Sequence, residues 1–378
     1  MAKRRETTPH VVVLGAGYAG VTAANLIAKR SDAAVTLINE RDLFQERMRN
    51  HQLAAGQRLR TIPLRDLVKR TGIRLVIDRV TGIDLEARRV ELARAAEPVG
   101  YDTLVYALGS HPDLDSVPGA AEHATAVATA DHARQVRDRV AGADTIAVVG
   151  GGLTGIETVA ELAEAFPDRT VRLITEGTPG AMLNERGRGH LAEAFDRLGI
   201  EVLTDAMVVK VAQDGVLLDS GSHVGADAVV WTTGFAVPAL ARDAGLEVDD
   251  RGRMCVDPTL RSLSHPDVYA VGDAAAARNE EGQVVRMGCG PGGVGATIGA
   301  LAIVDRLAGR APRPYRYRDV AWHLSLGRRD GIVQLGPDED SRILTGRRAA
   351  LVKERVELRG SVFGLRHPAV AVFGATRF

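Results

Sequence analysis

The same glycine-rich turn follows an apolar run twice in this chain, in VVVLGAGYAG at residues 11–20 and in AVVGGGLTGIE at residues 147–157. Each apolar run is typical of a buried parallel strand, and each turn leads into a helix with one apolar side. In a G-x-G-x-x-G turn, the first glycine permits the tight bend, the second lets the backbone approach a pyrophosphate, and the third lets helix and strand pack closely. One such turn is weak evidence, but two in the same strand–turn–helix order predict an α/β fold with two Rossmann-like dinucleotide-binding domains.

The first turn is expected to bind an adenine dinucleotide. A strand at His10–Leu14 precedes it and a helix at Val21–Arg30 follows it, so the phosphates would face a helix N-terminus, whose unpaired N–H groups favour negative charge. The next strand, AVTLINE, ends in an acidic residue, at the distance where its side chain can hydrogen-bond the ribose hydroxyls. The alternative is a βαβ unit that binds no ligand. The predicted cofactor-binding residues here are Gly15, Gly17, Tyr18, Ala19, Gly20, Glu40 and Arg41.

The second turn, formed by Gly150, Gly152 and Gly155, repeats this arrangement. The strand that follows its helix, TVRLITE, ends in Glu176. An acidic residue at this point favours a free 2′-hydroxyl, whereas a 2′-phosphate would call for an arginine. We therefore expect NADH rather than NADPH as the cofactor of this turn, although Arg172 lies on the same strand.

A third segment, HPDVYAVGDAA at residues 265–275, is a short strand that ends in Gly272 and Asp273. With this segment the chain resembles the two-dinucleotide flavoprotein reductases of the pyridine nucleotide–disulfide oxidoreductase superfamily. The resemblance implies that the first turn binds FAD, that the second binds the nicotinamide cofactor, and that Asp273 hydrogen-bonds the ribityl chain of FAD.

Two further segments stand where that superfamily has the strands that lead between its domains. They are DTLVYALGS at residues 102–110 and DAVVWTTGF at residues 227–235, and they add Gly109 and Gly234 to the predicted cofactor-binding residues. The first segment reads Ala-Leu-Gly where the family has Ala-Thr-Gly. The expected organisation is an FAD domain over residues 1–117 and 237–310, an inserted NAD(P)H domain over 118–236, and a C-terminal segment over 311–378.

The chain has two cysteines, Cys255 and Cys289, which excludes a disulfide scaffold and a C-x-x-C metal site and fits a reducing compartment. The disulfide reductases of the superfamily carry a redox-active cysteine pair, but the early segment FQERMRNHQLAAG and residues 118–244 contain no cysteine. A dithiol relay is therefore excluded, and electrons must leave the flavin directly for a small acceptor or O2.

The segment HLSLGRRDGIVQL at residues 323–335 resembles one shared by type II NADH:quinone oxidoreductases and their ferroptosis-suppressor-like and apoptosis-inducing-factor-like relatives. This resemblance implies a quinone or a similar aromatic compound as the acceptor. Two other acceptors stay open from the sequence. The chain could instead be a tailoring flavoenzyme that acts on a secondary metabolite or activates O2, or a reductase of a small redox protein such as ferredoxin.

The glycine-rich segment MGCGPGGVGATIGALAIVDRLAG at residues 287–309 predicts a helix that begins near Gly293. In the family this helix points its N-terminus at the pyrimidine edge of the flavin ring, where it stabilises the negative charge left by reduction. Gly290 is therefore a predicted cofactor-binding residue. Cys289, expected in the loop before the helix, is either a neighbour of the ring that tunes the flavin or a small buried side chain.

Glu157 matches the glutamate that many family members place beside the nicotinamide carboxamide, although an acid in the first turn of a helix is also stabilised by the helix dipole. Hydride transfer itself needs only nicotinamide and flavin stacked at close distance. A quinone acceptor also needs protons. The candidate groups to relay these protons are His323, His51, Tyr315 and Asp330. The predicted catalytic residues are Glu157, Cys289 and His323.

The chain has no net charge, which argues against nucleic-acid binding. Its N-terminus, MAKRRETTPH, lacks the apolar region of a signal peptide, so we expect a cytoplasmic protein or one peripheral to the inner face of the membrane. The C-terminal segment is basic and offers Trp322, Phe363 and Phe373 as anchors for an anionic membrane. The sequence leaves open whether this segment docks on a membrane, caps the flavin, forms a dimer surface or is merely a solvated face.

Overall fold

Two five-stranded parallel sheets frame the molecule in a computed structural model that describes residues 8–375. Among these residues, the strands of three or more residues are β1 His10–Leu14, β2 Ala34–Asn39, β3 Arg74–Ile77, β4 Val80–Asp84, β5 Arg89–Leu92, β6 Thr103–Tyr106, β7 Ala124–Ala126, β8 Thr145–Val149, β9 Thr170–Ile174, β10 Ile200–Leu203, β11 Val208–Ala212, β12 Gly215–Leu218, β13 His223–Gly225, β14 Ala228–Trp231, β15 Val268–Ala270, β16 Trp322–Ser325, β17 Gly331–Leu335 and β18 Arg342–Thr345. The α-helices of five or more residues are α1 Tyr18–Arg30, α2 Asn50–Ala54, α3 Ala130–Val140, α4 Leu153–Ala165, α5 Glu185–Leu198, α6 Cys289–Leu307, α7 Gly346–Val352, α8 Arg359–Arg366 and α9 Pro368–Ala375, and a π-helix spans Lys353–Leu358.

The first sheet has the strand order β15-β6-β1-β2-β3, and all of its pairs are parallel. Residues 11–14 of its central strand are fully buried because both faces of the sheet are covered, which explains why the strand reads as a continuous apolar run. Helices α1 and α6 pack against each other, and residues of both belong to the same buried apolar cluster as the sheet.

The second sheet has the order β7-β14-β8-β9-β10 and is also fully parallel. The chain leaves the first sheet after β6 and returns to it at β15, and the whole second sheet is built between these points. Where it crosses, residues 111–112 pair antiparallel with residues 235–236. Gly109 and Gly234 precede these two short strands with φ of +67° and +71°, a conformation that favours glycine. The expected α/β class with two Rossmann-like units is confirmed.

The C-terminal segment contacts both units. Its antiparallel sheet β16-β17-β18 packs on the second unit, because Trp322 and Leu324 share a buried apolar cluster with Ile156 of α4. Its helix α8 lies against α1, where the Asn25 amide donates a hydrogen bond of 2.7 Å to the Leu365 carbonyl oxygen. Trp322 is only 8% exposed, so its prediction as a membrane anchor is wrong. The side chain of Phe373 lies outside the described part of the chain.

Two helices begin earlier than the sequence predicts. Helix α1 starts at Tyr18 rather than Val21, and α6 starts at Cys289 rather than Gly293. Cys289 is therefore the first residue of a helix and not part of a loop. Pro291 is compatible with this start because the N–H groups of the first helical turn have no partner inside the helix.

Candidate functional site

In the first turn, packing requires glycine at two of the three glycine positions, and the third glycine leaves open space beside the helix. A Cβ atom on Gly15 would lie 2.4 Å from the Ala107 carbonyl oxygen, and one on Gly20 would lie 1.8 Å from the Gly15 carbonyl oxygen, so neither position admits a side chain. A Cβ atom on Gly17 would meet no atom within 4 Å. Gly17 caps α1 without a side-chain hydrogen bond, so free N–H groups of the helix face open space.

The second turn repeats this geometry. A Cβ atom on Gly150 would lie 2.8 Å from the Thr232 hydroxyl, and one on Gly155 would lie 1.8 Å from the Gly150 carbonyl oxygen, whereas Gly152 faces open space and caps α4 without a side-chain bond. In both turns the first glycine donates a hydrogen bond of 2.8 Å to the strand alongside. Both turns thus offer a cradle that fits a pyrophosphate beside a helix N-terminus.

The acids after the neighbouring strands make no side-chain hydrogen bond or ion pair within residues 8–375, whereas two nearby arginines are each paired with a carboxylate. Glu40 and Glu176 are both exposed. The Arg41 guanidinium pairs with Asp131 on α3. The Arg172 guanidinium pairs with Glu201 and also donates to a backbone carbonyl. Arg172 is therefore already neutralised, which removes the main sequence feature that argued for a 2′-phosphate at the second turn.

Asp273 lies where three segments meet. Its carboxylate accepts hydrogen bonds from the Ser110 hydroxyl at 2.7 Å and from the Gly288 N–H at 2.9 Å, and the Arg47 guanidinium is 3.7 Å away. A Cβ atom on the preceding Gly272 would lie 3.1 Å from the Ala19 side chain of the first turn. The structure therefore places Asp273 beside the first turn and beside the start of α6.

The start of α6 is partly open. Cys289 is exposed, and desolvation by the neighbouring protein together with the charges of Glu357 and Asp273 raises the pKa of its thiol to about 12. This thiol is consequently protonated at neutral pH and is not a nucleophile. Next to it, a Cβ atom on Gly290 would lie 2.9 Å from the Tyr317 hydroxyl, so a side chain there would have to displace the end of the Tyr317 ring.

Tyr18 lies at the first position of α1. Its ring packs edge-to-face on Phe44 with 4.9 Å between centroids. Its hydroxyl is buried and has no hydrogen-bond partner among residues 8–375. A buried hydroxyl without a partner in the first turn is consistent with a polar ligand group at that turn.

Glu157 is the fifth residue of α4 and so lies beyond its first turn, and it is 7% exposed and bound by the C-terminal segment. Its Oε1 accepts hydrogen bonds from the Ser325 N–H at 2.9 Å and from the Ser325 hydroxyl at 3.1 Å, and it lies 2.5 Å from Lys353 Nζ. Its Oε2 is 3.7 Å from His51 Nδ1, whose other ring nitrogen is 3.2 Å from the Ser325 hydroxyl. Glu157 is therefore fixed by several partners rather than held only by the helix dipole.

Lys353 stands between two carboxylates. Besides Glu157, its ammonium lies 3.4 Å from Glu357 Oε2 and donates to the His323 carbonyl oxygen at 3.0 Å. The His323 ring lies 3.2 Å from the same Glu357 oxygen. We refer to this set as the buried charged cluster; its members are His51, Glu157, His323, Ser325, Lys353 and Glu357.

The ionisation of this cluster follows from burial and from its own charges. Burial lowers the pKa of His51 to about 4, so its ring is neutral at pH 7. Burial alone would lower the pKa of Lys353 and raise that of Glu357, but Glu157 and Glu357 raise the former, and Lys353 and His323 lower the latter. The lysine therefore stays protonated between two carboxylates.

Sequence reasoning found Glu157, His51 and His323 but missed Ser325, Lys353 and Glu357. The signal was available, because Lys353 is one of 5 lysines in a chain with 43 arginines. The next residue, Glu354, accepts two hydrogen bonds of 2.9 and 3.0 Å from the buried guanidinium of Arg49. Lys353, Glu354 and Glu357 all lie on the π-helix, a rare element that is frequent at functional sites.

Two of the predicted proton relays lie elsewhere. Asp330 accepts hydrogen bonds from His190 at 2.8 Å and Arg197 at 2.6 Å, which attach the loop before β17 to α5. Burial would raise the pKa of Asp330, but these bonds lower it. The Tyr315 hydroxyl is buried at 3.5 Å from the Pro291 carbonyl oxygen. Neither residue has a hydrogen bond or ion pair with the buried charged cluster within residues 8–375, and a relay role for them stays a prediction.

Comparison with known proteins agrees with this geometry. The sequence profile of the pyridine nucleotide-disulphide oxidoreductase family matches residues 9–292. An NADH dehydrogenase-like protein of Mycobacterium tuberculosis is 34% identical over 310 residues, covering 74% of this chain and 76% of the relative. A demethylphylloquinone reductase of Synechocystis is 26% identical, covering 88% of this chain and 87% of the relative. A type II NADH:quinone oxidoreductase of M. tuberculosis is 28% identical, covering 88% of this chain and 80% of the relative.

The fold also matches solved structures. A sulfide:quinone oxidoreductase of Aquifex aeolicus superposes with a TM-score of 0.78 at 20% identity, over 95% of this chain and 92% of that structure. The likeness extends past the two dinucleotide-binding units into the C-terminal segment.

Proposed function

The chain belongs to the pyridine nucleotide-disulphide oxidoreductase family, and on this premise we propose that it oxidises NADH through FAD and passes the electrons to a quinone. The observation that carries the proposal is the pair of equivalent turns, each with a glycine facing open space beside an uncapped helix N-terminus. The relatives named as quinone reductases supply the acceptor class. When bound, the flavin supplies the redox chemistry, taking a hydride from NADH and releasing two electrons.

We assign the cofactors to the turns as follows. The first turn, with Glu40 at the ribose and Asp273 beside the start of α6, holds FAD. The second turn, with Glu176 at the ribose, holds NADH. On this assignment residues 1–117 and 237–310 form the FAD domain, residues 118–236 the NAD(P)H domain, and residues 311–378 complete the acceptor site.

The cysteines do not form a relay. Cys255 and Cys289 are both free, and they lie on different elements. Because the pKa of the Cys289 thiol is raised and the thiol stays protonated at neutral pH, we propose that it packs beside the flavin rather than reacting. Electrons then pass to the acceptor without a covalent intermediate on sulfur.

The buried charged cluster suits a quinone acceptor. A quinone that receives two electrons must also receive two protons, and negative charge develops on its oxygens. The Lys353 ammonium, held between Glu157 and Glu357, is a fixed positive charge that can stabilise this negative charge. The Ser325 hydroxyl and the neutral His51 ring are hydrogen-bonding groups beside it.

The test is steady-state oxidation of NADH by purified FAD-loaded protein, with menadione, O2 and a ferredoxin as alternative acceptors. We expect menadione to support the highest kcat/KM, and NADH to be preferred over NADPH. Rapid turnover with ferredoxin and none with menadione would instead assign the protein to ferredoxin reduction.

We also propose that the C-terminal helices dock on an anionic membrane surface. No helix within residues 8–375 is long and apolar enough to cross a bilayer. The helical region does expose large apolar side chains among exposed arginines, as in an interfacial helix. The apolar ones are Leu351, Val356, Phe363 and Val370, and the arginines are Arg347, Arg348, Arg355 and Arg359. The test is sedimentation with anionic and with neutral vesicles, and we expect the protein to sediment with the anionic ones. Protein that stays in the supernatant with both kinds of vesicle, or that forms a dimer through these helices, contradicts the proposal.

A further inference from the structure

A second buried carboxylate lies one helical turn beyond Glu157 on α4. Glu161 is 2% exposed, and one of its oxygens accepts a hydrogen bond from the Gln57 amide. Its other oxygen, Oε1, has no hydrogen-bond partner among the described residues, and the Arg328 guanidinium is 3.9 Å from it. A buried carboxylate with an unpaired oxygen is costly when charged, so this group calls for a role.

Glu161 stands between the solvent and the buried charged cluster. Residues four apart on a helix have Cβ atoms about 6 Å apart, which places Glu157 on its inner side. On its outer side are Glu164, which is exposed, and the Arg328 side chain, which is 50% exposed. The Arg328 N–H also donates to Glu164, so the loop after β16 covers this end of α4.

The groups around Glu161 leave its charge finely balanced. Burial raises the pKa of its carboxyl to about 7, the charges of Glu164 and Glu157 act in the same direction, and Arg328 and the Gln57 amide oppose them. At neutral pH the carboxyl can therefore both hold and release a proton. By contrast, His51 stays neutral, and Lys353 and Glu357 are held in an ion pair.

The proposed reaction requires one proton from solution. NADH gives up a hydride, which is two electrons and one proton, and the quinone needs two electrons and two protons to become a quinol. The balance is NADH plus one proton plus quinone, giving NAD+ plus quinol. At the Glu157 end of the cluster that would serve the acceptor, His51, Ser325 and Lys353 are no more than 6% exposed, whereas the side chains of His323 and Glu357 at its other end are 20% and 24% exposed. A proton that enters at the Glu157 end must therefore pass through protein groups.

We propose that Glu161 carries this proton from solvent to the buried charged cluster during quinone reduction. Gln57 anchors one oxygen of the carboxyl, and the unpaired Oε1 receives the proton on the Arg328 side and releases it on the Glu157 side. Glu161 is unchanged after each turnover. It touches neither substrate nor cofactor, so it acts through the cluster. The proposal rests on the quinone reductase function proposed above.

The experiment compares two acceptors in stopped-flow reoxidation of the NADH-reduced holoenzyme. Menadione takes electrons and protons, whereas ferricyanide takes only electrons. We expect Glu161→Gln, which keeps the size of the side chain, to slow reoxidation by menadione by roughly a hundredfold, the lower range for a positioned proton donor. Reoxidation by ferricyanide should be unchanged. The matched control is Asp168→Asn, an exposed carboxylate just beyond the C-terminal end of the same helix, which should leave both rates unchanged.

The pH dependence gives a readout that a structural role would not change. In the unaltered protein, reoxidation by menadione should fall as pH rises through about 7, because Glu161 is then deprotonated. Glu161→Gln should lose this fall, and Glu161→Asp should restore part of it. The proposal is overturned if Glu161→Gln keeps the original menadione rate and pH profile, or if it slows both acceptors equally. If the unaltered protein itself fails to reduce menadione, the proposed function has failed instead.

Discussion

Replacing Gly152 with alanine would separate the ligand-binding role of the second turn from its role in folding. Gly152 has φ of −79° and ψ of −177°, an extended conformation that any residue adopts, and a Cβ atom there would meet no atom within 4 Å. The free energy of unfolding should therefore not fall, and reduced freedom of the unfolded chain could raise it by about 0.4–1 kcal/mol.

The same methyl group would occupy the space through which a pyrophosphate reaches the helix N–H groups. Loss of one charge-assisted hydrogen bond costs about 1.5–3 kcal/mol, which corresponds to a dissociation constant for NADH raised about 10- to 150-fold. The assay is the NADH dependence of flavin reduction in a stopped-flow instrument, with thermal unfolding measured on the same sample.

The matched control is Gly155→Ala. Its Cβ atom would lie 1.8 Å from the Gly150 carbonyl oxygen, so the helix must move away from the strand, at a cost of about 1–3 kcal/mol or more. This variant should lose stability, whereas Gly152→Ala should lose only NADH affinity. An unchanged NADH dependence in a stable Gly152→Ala protein would refute the assignment of the second turn to NADH.

Three further predictions follow from the same contacts. Gly17→Ala should yield folded protein with little bound FAD, because Gly17 also faces open space; FAD retained at full occupancy in the purified variant would contradict this. Lys353→Met leaves Glu157 and Glu357 buried without their cation, so denaturant unfolding should show a loss of about 3–5 kcal/mol, and menadione turnover should fall more than ferricyanide turnover. A thermal transition like that of the original chain would contradict it. Asp330→Asn should cost about 1–2 kcal/mol without slowing quinone reduction. The pKa of Asp330 is lowered in the folded state, so this stabilisation is fully present above about pH 4 and is lost at lower pH. The free energies of unfolding of the two proteins should therefore converge in acid. A difference in free energy that does not change with pH would contradict the His190 and Arg197 contacts.

The parts of the fold that the sequence predicts are those encoded locally. A strand, three glycines and a helix are contiguous in the chain, so both turns and both sheets could be expected from residues 10–40 and 144–176. The start of α6 could not, because Cys289–Gly293 reads as a flexible glycine-rich loop. In the structure these residues are helical, and Tyr317 fills the space beside Gly290.

The buried charged cluster could be predicted only in part. Its members come from α2, α4, β16 and the π-helix, and their partnership depends on how the C-terminal segment packs, which no local pattern encodes. His323 and Asp330 lie in one short motif, and only the structure shows that the first joins the cluster while the second attaches to α5. Lys353 carries no motif, and its importance comes from burial between two carboxylates.

The central claim is that FAD receives electrons from NADH on the second turn and delivers them directly to a quinone. Its most direct test follows the visible absorbance of the protein-bound flavin, first on mixing with NADH and then on mixing the reduced protein with menadione. We predict that the flavin bleaches with NADH faster than with NADPH, and that its colour returns faster with menadione than with O2. Protein that binds no flavin, or reduced flavin that menadione fails to reoxidise, would contradict the claim.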